Sequence, residues 1–382
     1  MKTCVLLPRL IGAVAIGAAA AFGAPGVSPQ EIVLGQSAAL TGPTQALGIG
    51  MRTGLEVAFK EINDAGGVHG RSIRLASRDD GYEPKRAGEN ARALLTDDQA
   101  FLLIGCVGTP TAAEILPVAG EQGAPFFAAF TGAGSLRTPY NPLIVNMRVS
   151  YAQEIERLVT LLVDGRGLKK IACFYQDDLY GQAGLKALQV ALKKRSLEAA
   201  ALGLYVRNTR DVAAALAAIV PTRPDAVVLV GTYGACADFI RQARAAGLHD
   251  SVFCNISFVG TRALVSALGD DADGVIISQV VPHPVGSQIP AVEAYRTALA
   301  KYAPGAEPDW ISLEGYLAGR LFAAVADRAG ADLTRASFLQ ALQGTDPIDL
   351  GGLTAQFGAN RNQAFDRVYL TQVRKGKIVS LE

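Results

Sequence analysis

Apolar runs of strand length alternate along this chain with segments whose apolar residues recur every third or fourth position, the spacing of one helix face. Residues 32–38 are apolar enough for a buried parallel strand, and Leu40-Thr41-Gly42-Pro43 breaks it. Leu55, Ala58, Phe59 and Ile62 then mark a helix face, which Gly66-Gly67 ends. A strand over 73–77 leads into Asp79-Asp80-Gly81-Tyr82-Glu83-Pro84, read as an exposed turn before a helix with Pro84 in its first turn. The same reasoning predicts strands at 144–148, 170–175, 199–206, 225–230, 252–256 and 275–281. Between them lie a helix face of Ile155, Leu158 and Leu162, helices at 180–192 and 234–246, and one capped by Asp211. Helices follow at 290–303 and 311–329, then strands at 353–357, 367–373 and 377–381, the last two joined by a Lys375-Gly376 turn. Alternation of this kind predicts an α/β chain built from two doubly wound units.

Two stretches of the first unit stand out. In residues 101–114, FLLIGCVGTPTAAE, and 125–135, PFFAAFTGAGS, an apolar run ends in small residues and a threonine. Pro110 opens an amphipathic stretch in the first, so Thr109 falls at the predicted N-cap. Two such junctions at the carboxyl ends of parallel strands aim N–H donors into a crevice suited to a small anionic or carbonyl group. That crevice is read as half of a binding site.

Length and charge narrow the classes. At 382 residues the chain fits two lobes of ordinary size, and a formal charge of +1 gives no basic face for a nucleic-acid partner. His69, His249 and His283 are scattered singly, so no metal cluster and no cofactor are expected. Lys2 and Arg9, the apolar run 10–21, and the small residues Gly23 and Ala24 have the order of an export signal cleaved near residues 21–24. The expected destination is the periplasm of a Gram-negative host. Of the cysteines that remain, Cys106, Cys173 and Cys254 lie in apolar runs and read as buried thiols. A Cys236 to Cys254 disulfide is the alternative for that pair. Gly48, Gly50 and Gly54 have the wrong final spacing for a dinucleotide loop and read as turn and helix-packing glycines. With no Ser/His/Asp set and no nucleophile elbow, an enzyme is not expected.

Several stretches together resemble the periplasmic solute-binding proteins of the branched-chain amino-acid type, which feed ABC importers. They are GQSAALTGPTQALGIGMRTGLEVAFKEINDAGGVHGRSIRL, RDDGYEP, IGCVGTPTAAEILPVA, QDDLYGQAG, RQARAAGL and LEGYLAGRL, and the resemblance runs from about Glu31 to the end. It implies a type I periplasmic-binding-protein fold: two doubly wound lobes joined by three crossover segments, with a small ligand between them and a permease as partner. The implied lobes are 31–149 plus 281–357, and 150–280 plus 358–382; the expected state is a monomer.

Carried over, the resemblance places Gly108 and Thr109 on the ligand carboxylate, with Phe130, Thr131 and Gly132 in the next loop. Tyr180 and Tyr233 close over the ligand from the second lobe, their rings covering an apolar part while their hydroxyls reach a polar one. Tyr151 is expected to face the cleft, and Arg148 either faces it or pairs with an acid. Glu314 reads as a packing residue and Trp310 as an aromatic staple. Two departures change the picture. Ser257 stands where relatives carry a carboxylate for the ligand ammonium, so a small carboxylate or amide becomes a candidate alongside an amino acid. Asp177 or Asp178 is a possible substitute, although an Asp at that place reads first as a helix cap. Tyr82 and Gly108 stand where some relatives form a disulfide; Tyr82 is expected to fill that space or lean into the cleft. The alternative function is a ligand-sensing regulator of the same fold without transport.

Overall fold

The computed structural model describes Met1, residues 24–344 and residues 346–381. The expected export signal lies outside the described residues except for its two ends.

The chain first runs through β1 (Glu31–Ala38), α1 (Gln45–Asp64), β2 (Ser72–Asp79), α2 (Pro84–Thr96), β3 (Leu103–Ile104), α3 (Thr109–Glu121), β4 (Phe126–Phe127) and β5 (Ile144–Val145). Their strands form a parallel sheet in the order β2-β1-β3-β4-β5. It then crosses into α4 (Tyr151–Val159), β6 (Ile171–Gln176), α5 (Leu179–Lys193), β7 (Leu202–Tyr205), α6 (Ala213–Ile219), β8 (Ala226–Val230), α7 (Tyr233–Ala245), β9 (Val252–Asn255), α8 (Thr261–Leu268) and β10 (Ile276–Gln279). A second crossing leads back to α9 (Pro290–Tyr302), α10 (Trp310–Ala329) and α11 (Arg335–Leu342), followed by β11 (Ile348–Asp349) and β12 (Thr354–Ala355), which pair with each other. The third returns to β13 (Tyr369–Arg374) and β14 (Lys377–Ser380), giving a second sheet ordered β14-β13-β10-β9-β8-β6-β7. Two doubly wound units are thus present, as the alternation implied, linked by the three crossings that the resemblance implied. Among the described residues no helix is long and apolar enough to cross a membrane.

Close packing explains the glycines of α1. A Cβ on Gly54 would lie 2.0 Å from the Ser312 carbonyl oxygen, and one on Gly315 would lie 2.4 Å from that of Met51, so α1 and α10 meet backbone to backbone. The helix-packing reading fits Gly54 and Gly50, which face Ser312 and Ile311 of α10, whereas Gly48 packs on the Ala39 backbone after β1. The predicted ends of α1 at Gly66-Gly67 and of the final hairpin at Lys375-Gly376 coincide with positive φ angles.

Several expectations are corrected. The runs after Phe101 and Pro125 make ladder pairs at only two residues each, because Gly105 (φ 60°) and Ala128 (φ 48°) bend the chain out of line. Strand 353–357 shrinks to Thr354–Ala355. Asp211 is not the N-cap of α6, which is Val212, although its carboxylate accepts from Ala213 N at 3.1 Å. The turn at Asp79-Asp80 is not exposed: Asp80 is fully buried. Cys106, Cys173, Cys236 and Cys254 are all buried free thiols, so the Cys236 to Cys254 bridge is not formed.

Candidate functional site

The β3 to α3 junction turns at Gly108, whose φ of 107° starts the helix one residue earlier than an L side chain would permit. Gly108 is therefore the N-cap and Thr109 the first helical residue, correcting the predicted cap by one position. The shift frees the threonine hydroxyl from capping. Thr109 Oγ1 lies 2.7 Å from Thr131 Oγ1, and Thr131 Oγ1 lies 3.2 Å from Tyr151 Oη. These hydroxyls form one buried chain, joining both threonine junctions to the start of α4. Ser150 and Gln153 fix that start with a capping box. Gly132 is required beside it, since a Cβ would come within 2.6 Å of the Tyr151 ring. Burial pushes the Tyr151 phenol up to about 12, so at neutral pH it keeps its proton and can donate.

Tyr82 packs over Gly108, where a Cβ would lie 2.4 Å from the ring. It is fully buried and in a left-handed conformation (φ 63°), held there by Asp80, which accepts from Tyr82 N at 2.8 Å and from Ser37 Oγ at 2.7 Å. Tyr82 thus fills the space over Gly108, and its hydroxyl accepts from Gln176 Nε2 at 3.4 Å on the other side of the interface. Burial raises the Asp80 carboxyl to about 6, against the opposing bonds from Ser37 and Tyr82. The folded state thus holds this proton more tightly than the unfolded chain. The resulting stability is complete below about pH 4 and lost as pH rises through 6. Asp80→Asn is expected to flatten that part of the profile, so that urea unfolding at pH 4 and pH 7 differs by roughly 2–3 kcal/mol less than in the parent.

The second unit faces this wall with Tyr180, Tyr205, Gln176 and Phe258. Phe258 is fully buried, and its ring centroid lies 4.4 Å from Tyr180, 5.4 Å from Phe130, 6.2 Å from Tyr82 and 6.4 Å from Tyr151. Sequence reading passed over Phe258, the aromatic residue at the centre of the interface. Its only local signal is an aromatic residue between Ser257 and a glycine in the left-handed region, Gly260 (φ 81°). Across the rim, Arg207 pairs with Glu83 at 3.2 Å, and Asn208 Nδ2 donates to Glu83 Oε1 at 2.7 Å and to Gly81 O at 3.2 Å. The two units are closed on each other in this structure.

Tyr233 is not in the hydroxyl chain. It is half-buried at the start of α7, with its phenol beside the backbone N–H of Ala46; burial raises its pKa and that N–H pulls it back. Tyr180 is in the aromatic cluster, its hydroxyl donating to Gly231 O at 3.4 Å. Thr109, Phe130, Thr131, Gly132, Tyr151 and Tyr180 are therefore brought together, Gly108 backs them through Tyr82, and Tyr233 clasps α1 to one side.

Ser257 lies at the base of the interface. Arg148 Nη2 donates to Ser257 Oγ at 2.7 Å, and Ser257 N donates to Glu154 Oε2 at 2.9 Å. Arg148 pairs with Glu314 at 3.0 Å, and its guanidinium lies 4.3 Å from the centre of the Phe130 ring. Arg148 thus takes the acid-pairing alternative, and Glu314 is an ion-pair partner where a packing role was expected. Burial drives Glu314 up to about 7, with Arg148 opposing the shift. Asp178 is the N-cap of α5, accepting from Tyr180 N and Gly181 N, so the cap reading holds for it. Trp310 opens α10 with its ring edge-on to His283. Among the described residues no group of His, Cys, Asp and Glu is placed to hold a metal ion.

Comparison with known proteins agrees with this fold. Residues 31–377 match the family described as periplasmic binding protein. The chain is 24% identical over 378 residues to Leu/Ile/Val-binding protein homolog 3 of Brucella melitensis, covering 98% of this chain and 99% of that one. It superposes with TM-score 0.88 and 35% identity on a possible leucine/isoleucine/valine-binding protein from Rhodopirellula baltica, covering 95% and 98% of the two chains. The solute binding protein of R. palustris in complex with benzoate shares the fold at TM-score 0.80 and 21% identity, covering 91% and 95%.

Proposed function

Because the chain belongs to the periplasmic binding protein family, we propose that it is the solute-binding receptor of an ABC importer and that it closes on a small carboxylate or amide, not on an α-amino acid. In this reading it works in the periplasm as a monomer and hands its ligand to a membrane permease. Its lobes are 31–149 with 281–357, and 150–280 with 358–382. The ligand's polar group meets Thr109, Thr131 and Tyr151, whose hydroxyls and neighbouring helix N-terminus suit a carboxylate or carbonyl. Tyr180 and Phe258 cover its apolar part. Ligand contacts made only when the lobes meet shift the population toward the closed form.

The observation that carries the choice of ligand is the commitment of the acids around Ser257. Glu154 and Glu314 surround Arg148 and the Ser257 backbone, and Asp178 caps a helix. Glu314 and Asp178 are committed, Asp177 is exposed, and Glu154 keeps only Oε1 without a partner on a carboxylate already bonded to Ser257 N and Ser278 Oγ. An ammonium left unpaired in a closed cleft costs several kcal/mol. The names of the relatives point toward leucine, isoleucine and valine, whereas the R. palustris protein holds benzoate, an anion with no ammonium. A thermal-shift panel of aliphatic and aromatic carboxylates, amides and branched-chain amino acids separates the two. The proposal expects a carboxylate or an amide to raise the melting temperature most, since a ligand selective for the folded form stabilises it. A dominant shift with leucine or valine overturns the choice.

A further inference from the structure

An open groove of about 820 Å³ begins at Thr109 and Tyr151 and runs outward between α3 and α5. One wall therefore belongs to each side of the interface. Leu116 on α3 faces Leu179, Ala183 and Val190 on α5 across it. On α5, residues 179, 183, 187 and 190 follow helical spacing and form an apolar stripe, roughly 16 Å long at 1.5 Å per residue. The helix already buries another face through Leu185, Leu188 and Leu192. Leu179 and Val190 are 55% and 51% exposed, among the few large apolar side chains of the described residues that face solvent. A second apolar stripe on a helix that has already packed its first calls for an occupant. The groove's inner end includes Thr109 and Tyr151, the two outer members of the hydroxyl chain.

We propose that this groove is the outer half of the ligand site, and that the ligand carries an extended apolar tail that leaves the hydroxyl chain and lies along α5. The inference rests on the reading of Thr109 and Tyr151 as contacts to the ligand's polar group. Because Tyr180 and Phe258 pack beside Tyr151, they cover only the first carbons next to the ligand's polar group, and further growth is directed outward. Chain length is then read by the groove: each added methylene leaves water for Leu116, Leu179, Ala183 and Val190 in turn. Closure of α3 toward α5 makes the tail a bridge between the two lobes, so a longer tail favours the closed form.

Titration calorimetry with acetate, butanoate, hexanoate, octanoate and decanoate tests this. Affinity is expected to rise by about two- to fourfold per methylene along the series, the full transfer of a methylene from water setting the upper value. Ala183→Glu, which puts a carboxylate midway along the stripe, is expected to abolish the rise at the length that reaches it, and far-ultraviolet dichroism checks that the variant is folded. Thr109→Val is expected to weaken every member by a common factor of roughly ten. If affinity does not change with length while Thr109→Val still weakens binding, the groove is not a tail site and this inference fails alone. If no member of the series binds, the inference fails as well. If the series shows the rise but Thr109→Val has no effect, the polar end lies elsewhere and the underlying site reading fails.

Discussion

Arg148→Ala is expected to lower the free energy of unfolding by about 3–5 kcal/mol, the usual cost of removing one partner from a buried ion pair. Arg148 is almost wholly buried, and its guanidinium serves Glu314, Ser257 and the face of Phe130 at once. Its loss strands the carboxylates of Glu314 and Glu154 in a closed interior. The effect depends on pH with a definite sign. Glu314 titrates near 7 in the fold against 4.5 for an ordinary glutamate, so the stability tied to its proton is complete below about pH 4.5 and lost as pH rises through 7. Arg148→Ala should therefore be less damaging at pH 5 than at pH 8, where the stranded carboxyl must hold a proton that the unfolded chain has lost, or stay charged without a partner. Urea unfolding at both pH values measures this. A paired substitution, Arg148→Met with Glu314→Leu, should recover part of the loss, because it removes one stranded carboxylate while Glu154 keeps its bonds from Ser257 N and Ser278 Oγ.

Phe258→Ala is expected to cost about 3–5 kcal/mol in the same assay, the range for removing a buried phenylalanine. The consequence goes beyond stability, because the rings around Phe258 come from different parts of the chain. Tyr82 and Phe130 belong to the first sheet's side and Tyr180 to the second. Opening the interface separates Phe258 from the former while leaving it near the latter. Truncation should therefore weaken the closed form specifically, and small-angle scattering should give a larger radius of gyration for Phe258→Ala than for the parent. A loss below about 1 kcal/mol, with unchanged scattering, would mean that the aromatic cluster does not hold the units together.

The contrast between these residues and the ones found from sequence has a physical basis. Alternating strands and helices are local patterns, so β1, the end of α1 and the closing hairpin were readable to within a few residues, whereas α1 starts at Gln45, ten residues before the face marked by Leu55. Thr109 and Thr131 were readable because small residues and a threonine after an apolar run mark a strand end. Their joining through Tyr151 was not readable, since no spacing encodes a contact across 20 or more residues. The same limit hid the pairing of Arg148 with Glu314, 166 positions away, and left Phe258 unnoticed inside a short apolar stretch. Local geometry misled in two places. Gly108 caps α3 where a threonine cap was expected, and Asp80 is buried although its turn looks polar, because it accepts from Ser37 Oγ and Tyr82 N inside the fold. Resemblance located Tyr233 at the interface but not its neighbour Ala46, because contacts between lobes depend on how they close.

The central claim is that one small molecule is held between the two lobes at the hydroxyl chain. A crystal structure of the protein with the ligand that emerges from the thermal-shift panel tests it most directly. A polar atom of the ligand is expected within hydrogen-bond distance of Thr109 or Thr131, with Tyr180 or Phe258 of the opposite lobe against its apolar part. A ligand seated on one lobe alone, away from both threonines, would contradict it.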